Sequence, residues 1–142
     1  MSSGHEVLLG YEWLKAVLTG DSTLMGYATG GVFRSLAPPD TAPPFVIMSY
    51  QAGIDVTTLN AFRLMDELSY QVKVVGPVTL MSTLALAAER IDILLGLASG
   101  TITGGYILSC YREQPLMMDE LVNTEVWTNV GGLYRLQLEQ TS

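Results

Sequence analysis

One segment of the chain alternates strictly between polar and apolar side chains. Within residues 67–75, the side chains of Leu68, Tyr70, Val72 and Val74 occupy every second position, and polar side chains lie between them. A period of two places the apolar set on one face of an extended chain. The pattern therefore predicts a strand with one buried face.

Three further segments are typical of strands. Residues 132–139 repeat the alternation, and residues 105–112 form a short, mainly apolar run. Residues 45–52 begin with side chains that are apolar on both faces, which favours a central strand or one that a partner covers. A shorter strand is expected at residues 30–36, after a glycine turn.

Helical spacing appears in two places. Residues 6–19 carry apolar side chains on one face, including Leu9 and Trp13, and residues 78–96 follow Pro77, which suits a first helical turn. Because helices and strands come in groups, the order predicts the α+β class. The expected fold is a mainly antiparallel four- to five-stranded sheet packed with two helices, with long loops or hairpin arms.

Long connections separate these elements. Residues 53–66 are too long for a tight turn and predict a protruding arm or a long β-hairpin. Residues 113–127 are a second long connection. Four of the six prolines lie in residues 38–44, so this stretch is expected to be stiff, extended and unable to pair as a central strand.

The composition indicates a single domain with part of its surface buried against other subunits. The 142 residues suit a single domain, residues 1–142. Hydrophobic residues make up 49% of the chain and charged residues only 15%, against about 25% in ordinary globular domains. The apolar arc of residues 78–96 is also wider than one sheet can cover. Both features favour burial against other subunits.

The net charge and the lack of targeting signals argue against nucleic acid binding and membrane insertion. The formal net charge is −7 and the seven basic residues are scattered, whereas nucleic acid binding requires clustered Lys and Arg. No apolar stretch approaches the roughly 20 residues of a membrane span, and the start of the chain lacks a signal-peptide pattern. We expect synthesis in the cytoplasm, no membrane partner and no specific binding of DNA.

The sequence offers few groups for catalysis. His5 is the only histidine and Cys110 the only cysteine, so nucleophile–base systems and zinc sites are not expected. Two acidic pairs, Asp66-Glu67 and Asp119-Glu120, either converge on a cation or remain solvated charges, and the second reading is favoured. We therefore expect no enzyme activity, no metal and no cofactor.

Protein contacts are the better hypothesis for the remaining features. The segment around Met117 is either a loop anchor in the core or an adaptable binding surface, and Trp127 is a candidate interface anchor. The full set of candidate residues for contacts with other subunits or with a tube is Pro38, Pro39, Pro43, Pro44, Leu59, Phe62, Leu64, Leu116, Met117, Met118 and Trp127.

The order of these segments resembles the tail terminator, or tail completion, proteins of long-tailed (siphovirus-type) bacteriophages. The resemblance covers nearly the whole chain. Members often carry an Arg directly after the glycines, at the place of Val32, whereas this chain has Arg34. The matching stretches are "YEWLKAVLTGDSTL" (11–24), "GGVFRSLAPPDTAPPFVIMSY" (30–50), "LSYQVKVVGPVTLMSTLALAAERIDILL" (68–95) and "LYRLQLE" near the end.

The resemblance implies a structural virion protein. Such proteins form homohexameric rings at the head-proximal end of the tail, cap the tail tube, end its polymerisation and join it to the neck. The implied partners are the chain itself, the tail tube protein and a neck or head-completion (connector) protein. DNA passes through the lumen without specific binding. A stiff proline loop would suit docking because it loses little entropy.

Two alternatives remain open. One is a neck, head-completion or minor tail protein on a similar scaffold. The other is a small acidic enzyme or ligand-binding domain that uses the two acidic pairs.

Overall fold

The computed structural model of the chain describes residues 5–57 and 63–140, with side chains described for residues 5–54 and 65–139. The helices are α1 (His5–Thr19), α2 (Ser22–Tyr27) and α3 (Met81–Leu95), the last preceded by a 3₁₀ turn, Val78–Leu80. The strands are β1 (Val32–Arg34), β2 (Phe45–Thr57), β3 (Arg63–Pro77), β4 (Gly100–Ile102), β5 (Gly105–Val122) and β6 (Glu125–Gln140).

The strands form one sheet in the order β1-β2-β3-β6-β5-β4. All neighbouring pairs are antiparallel except β1 and β2, which run parallel. The α+β class and the predominance of antiparallel pairing are confirmed. The strand number and the helix number differ from the prediction, because the sheet has six strands and α2 is a third helix. The short strand β1 lies where the sequence predicts it, and the additional strand β4 has three residues, too few for a periodic signal.

Helices cover one face of the sheet, and an aromatic cluster joins α1 to it. The Tyr70 ring is fully buried and lies edge-on to the rings of Tyr11 and Tyr50, with centroids 5.1 and 5.5 Å away. The Tyr70 hydroxyl donates a hydrogen bond to the Val7 carbonyl at 2.7 Å. The Tyr11 hydroxyl accepts a hydrogen bond from the Tyr50 backbone N–H at 2.6 Å. This cluster seats α1 on the middle of the sheet.

A capping carboxylate joins α2 to α3. Asp21 precedes α2 and accepts a hydrogen bond from the Leu24 backbone N–H at 2.9 Å, as an N-cap residue does. The same carboxylate accepts two hydrogen bonds from the Arg90 guanidinium in α3, each 2.8 Å long. The Arg90 bonds, followed by the Leu24 bond, lower the pKa of Asp21 from 3.8 to about 2.

Two β-hairpins replace the long connections. Strands β2 and β3 continue as far as Thr57 and Arg63, so the hairpin alternative for residues 53–66 is confirmed as far as the described residues go. Residues 113–127, predicted as a long connection, also form a hairpin arm, so the predicted strands at 105–112 and 132–139 are too short. Strand β5 runs without a break to Val122, and β6 begins at Glu125.

Replacing Gly10 with Ala should destabilise the fold. A Cβ atom at Gly10 would collide with the hydroxyl and ring of Tyr70, which is held in place by its own hydrogen bond. We expect a loss of about 1–3 kcal/mol in the free energy of unfolding, measured by urea denaturation.

The matched control is Gly26→Ala. No atom lies within 4 Å of a Cβ built at Gly26 in α2, so this change should stabilise the protein by up to about 1 kcal/mol. Equal effects of the two substitutions would contradict the packing of Tyr70 against α1.

The Asp21 carboxylate should make stability depend on pH. Since its pKa is lower in the folded chain, its contribution is present above the unfolded value of 3.8 and is lost as the pH falls towards about 2. The Asp21→Asn variant should be less stable than the natural protein near neutral pH, and the difference should vanish across this interval. Urea denaturation at a series of pH values measures it, and a difference that does not change with pH would contradict the assignment.

Candidate assembly surfaces

The strands of the sheet are much longer than the helices packed on them. Helix α3 has 15 residues and spans about 22 Å, whereas β5 has 18 residues and spans about 60 Å. The hairpin of β5 and β6 therefore extends beyond the helices. Its turn is tight, with Asn123 and Thr124 at φ 49° and 72°, as in a two-residue hairpin turn. The tip of the hairpin, residues 119–126, lies beyond the pairing of β6 with β3 and is mostly exposed on both faces.

A groove of about 420 Å³ lies on the face of the sheet opposite the helices. The loop between β1 and β2 forms one wall, and β6 and β5 form the other. Ile47 and Val75 form a buried apolar floor, and Lys73 lies beside them between β2 and β6. The lining residues are Ser35, Leu36, Ala37, Pro38, Asp40, Thr41, Phe45, Ile47, Lys73, Val75, Glu120, Trp127 and Asn129.

The two proline pairs have different positions. Pro38 and Pro39 are exposed, and Pro38 lines the groove. Pro44 is buried, and its carbonyl accepts a hydrogen bond from the Gly30 N–H at 2.9 Å. Pro43 is half-buried at the end of the sheet. The second pair therefore anchors the loop, and the first pair remains available for contacts.

The apolar residues of β5 lie on two faces. Leu116 pairs with Gly131 and Met118 with Asn129, so both belong to the face that carries the groove and the half-buried Trp127. Met117 lies on the helix side, where it lines a second groove with residues of α3. The three neighbouring positions therefore do not lie on one face, and Leu116 borders the second groove as well.

The remaining candidates follow β2 in the sequence. Leu59 and Phe62 lie outside the described residues. Leu64 belongs to β3, but its side chain is also outside the described part.

Polar side chains occupy the other end of the groove face. Arg135 of β6 forms ion pairs at 3.1 Å with both Glu67 and Glu113, and Ser69 donates a hydrogen bond to Glu113 at 3.0 Å. The Arg135 hydrogen bond is the main reason that the pKa of Glu113 is lowered. This network joins β3, β6 and β5 and accounts for Glu67 as a structural residue.

The acidic pairs do not converge on one site. Asp66 pairs with Leu138 and Asp119 with Thr128, ten positions apart along β6, or about 33 Å. Asp66 is buried, whereas Asp119 is exposed. Among the described residues no group of three or more His, Cys, Asp or Glu side chains is arranged to hold a metal ion.

The single thiol is also unsuited to nucleophilic chemistry. Cys110 is fully buried, and this burial raises the pKa of its thiol to about 12. His5 is exposed at the start of α1. No helix in the described part of the chain is long and apolar enough to cross a membrane. The described geometry offers contact surfaces rather than a reactive centre.

Comparisons with known proteins identify the fold. No protein-family model and no curated protein match the sequence. The chain is similar to one in a solved structure described as "Virion of native gene transfer agent (GTA) particle", with a TM-score of 0.80 and 13% identity, over 96% of this chain and 99% of that chain. A second solved structure has a TM-score of 0.55 at 13% identity, over 94% and 97% of the two chains. At this identity the likeness shows a common fold.

Proposed function

We propose that the chain is a structural protein of a phage-like virion. The observation that carries this proposal is the likeness, over nearly the full length of both chains, to a component of a gene transfer agent virion. The absence of a reactive constellation among the described residues agrees with a structural role. The geometry supports a function in protein contacts better than a function in catalysis.

Within that class, the proposed role is that of a tail terminator. The chain would form a homohexameric ring at the head-proximal end of the tail, cap the tube, end its polymerisation and join it to the neck. Its proposed partners are the tail tube protein and a neck or head-completion protein. The acidic net charge of −7 would let DNA pass the lumen with little adhesion.

Two unpaired sheet edges support self-association. Residues 111–122 of β5 pair with β6 alone, and residues 51–57 of β2 pair with β3 alone among the described strands, whereas the Tyr50 N–H before them donates to the Tyr11 hydroxyl. The two free edges belong to opposite sides of one sheet, and an exposed edge is a template for pairing with another chain. An edge of one copy that meets the other edge of the next gives a head-to-tail contact, which closes into a ring when the rotation fits.

The expected assembly state is a hexamer. Native mass spectrometry and negative-stain imaging of the purified protein should show a six-membered ring. A different ring number would favour a neck or head-completion protein. A monomer that binds a small ligand would favour the enzyme or ligand-binding alternative and would overturn the proposed function.

Raising the salt concentration should not dissociate the proposed ring. Identical subunits of charge −7 repel one another, so apolar contact must outweigh the repulsion. At about 25 cal/mol per Å², a few hundred Å² of buried apolar area exceeds the contribution of a typical exposed ion pair. Since salt screens the repulsion, analytical ultracentrifugation should show that the ring persists or tightens as salt rises. Dissociation into folded monomers would show that ion pairs hold it together.

The apolar residues near the free edge of β5 should matter for assembly. Leu116→Asp combined with Met118→Asp puts two charges on the hairpin, where neither side chain belongs to the buried core. We expect the fold to remain intact by circular dichroism, while ring closure or docking to the tube weakens at least tenfold.

Tyr106→Asp is the control, matched to Met118 in the exposed fraction of the side chain. Tyr106 lies on the same strand and is 46% exposed, as Met118 is, but its part of β5 is paired on both sides by β4 and β6. If this control weakened assembly as much as the double variant does, the hairpin would not be the contact surface.

A further inference from the structure

The free edge of β5 is bounded at both ends. Residues 111–122, called the β5 edge, pair with β6 on one side and with no described strand on the other. Just before them, the Cys110 carbonyl accepts a hydrogen bond from the Leu97 N–H at 2.8 Å, so the segment after α3 occupies the edge there. At the other end the chain turns at Asn123 and Thr124. Another strand can therefore pair only with residues 111–122.

Exposed apolar side chains are concentrated along the β5 edge. Tyr111, Met117, Met118 and Leu121 are all exposed. Leu97, beside one end of the edge, is exposed as well. Single exposed apolar residues are ordinary on a protein surface, but a row of them along an unpaired strand indicates a contact with another chain.

The middle of the β5 edge is Met117. The two ends of the edge pair with Arg135 and Glu125 of β6, and Met117 pairs with Val130, halfway between them. Along a strand, every second residue directs its backbone N–H and C=O to the same edge. Counted from the Cys110 carbonyl, with the extra residue of the bulge at position 113 left out, the outward residues are 112, 115, 117, 119 and 121. The central residue therefore presents its backbone groups to a partner.

A second copy of the β5 edge matches the first along its whole length. In an antiparallel pairing about a two-fold axis at Met117, the two Met117 residues exchange two hydrogen bonds. Leu116 then faces Met118 of the other copy, and Tyr111 faces Val122. The two sheets continue into one, and the helices of both copies lie on the same side of it.

The charges along the β5 edge agree with this register. Asp119 and Glu120 each face an uncharged residue of the other copy, and Arg112 is the diagonal neighbour of Asp119 on the same face. Glu113 is directed away from the edge to Arg135, which lies 3.1 Å away. Because the axis is two-fold, the favourable pair of Arg112 and Asp119 occurs twice.

Neighbouring registers are less favourable. An axis at Leu116 carries the end of the other hairpin past residue 111, onto the position that Leu97 occupies. An axis at Asp119 brings two carboxylates directly opposite each other. Pro115 has no N–H to donate, so an axis at Pro115 would lose both central hydrogen bonds. With the axis at Met117, Pro115 removes only one bond on each side.

We propose that two copies of the unassembled chain pair through the β5 edge, antiparallel about a two-fold axis at Met117. This pairing goes beyond the ring proposed above, because it uses one edge twice and leaves the edge of β2 unused. A copy held in the pair cannot offer its β5 edge to a ring or to an unrelated strand, so the pair is a storage form that separates before assembly. The apolar side chains supply most of the attraction, and the register and charges select the partner.

A cysteine on the axis tests the pairing. In Met117→Cys the two thiols belong to a hydrogen-bonded pair with Cα atoms about 5.5 Å apart, within the range of a disulfide. Mild oxidation should therefore give a covalent dimer, and the natural Cys110 is buried. Leu121→Cys is the control, because its side chain is more exposed but lies about 27 Å from its counterpart. This control should form no dimer alone and should form one when it is mixed with Arg112→Cys.

A charge on the axis should separate the pair. Met117→Asp places two carboxylates opposite each other, and the dissociation constant of the pair should rise about tenfold in sedimentation experiments at several dilutions. Ile93→Asp is the matched control, because Ile93 is 60% exposed on α3, against 62% for Met117, and lies away from the β5 edge. The control should leave the dissociation constant unchanged, and circular dichroism should show that both variants fold.

The outcomes separate the pair from the proposed ring. A two-copy species that cross-links through Met117→Cys supports the pair, and the absence of a six-membered ring then overturns the ring alone. A ring-forming protein with no two-copy species and no cross-link at this position overturns the pair alone. A two-copy species that links equally through Leu121→Cys, or that persists in Met117→Asp, also overturns the pairing about Met117. A protein that stays monomeric at every dilution overturns both proposals.

Discussion

A mismatch of length between helices and strands shapes this molecule. A helix rises about 1.5 Å per residue and a strand about 3.3 Å, so a helix of 15 residues covers less than half of a strand of 18. The half that is covered becomes an ordinary core around Tyr70, with α1 and α3 packed on β3 and β6. The half that is not covered keeps its strands, because they pair with each other, but exposes apolar side chains on both faces.

The covered half has a hydrophobic core of its own. Its buried cluster is continuous from α1 through the sheet to α3, and Asp21 ties α2 to α3 with hydrogen bonds that also cap a helix. The polar network around Arg135 holds three strands together on the other face. The residues that form the core are therefore different from the exposed residues proposed for assembly, and the exposed residues can be replaced without changing the core.

The division into a covered and an uncovered half explains which elements can be predicted from the sequence. Residues 67–75 and 6–19 face the core. Burial of one face requires apolar side chains at regular positions, and this periodicity predicts the strand and the helix. Residues 113–122 are mostly exposed on both faces, so their side chains show no alternation and the sequence predicts a connection there. The groove brought together Pro38 and Trp127, both named as candidates, but Lys73 joins them only through strand pairing. The spacing of residues along the sequence does not show which strands pair.

An uncovered hairpin with free edges also requires protection against indiscriminate pairing. Pro115 lies in the free edge of β5 and has no N–H to donate, and charges at Asp119 and Glu120 follow it closely. Proline and charge on an edge both disfavour pairing with arbitrary strands. A partner strand must therefore offer a compatible register and opposite charge.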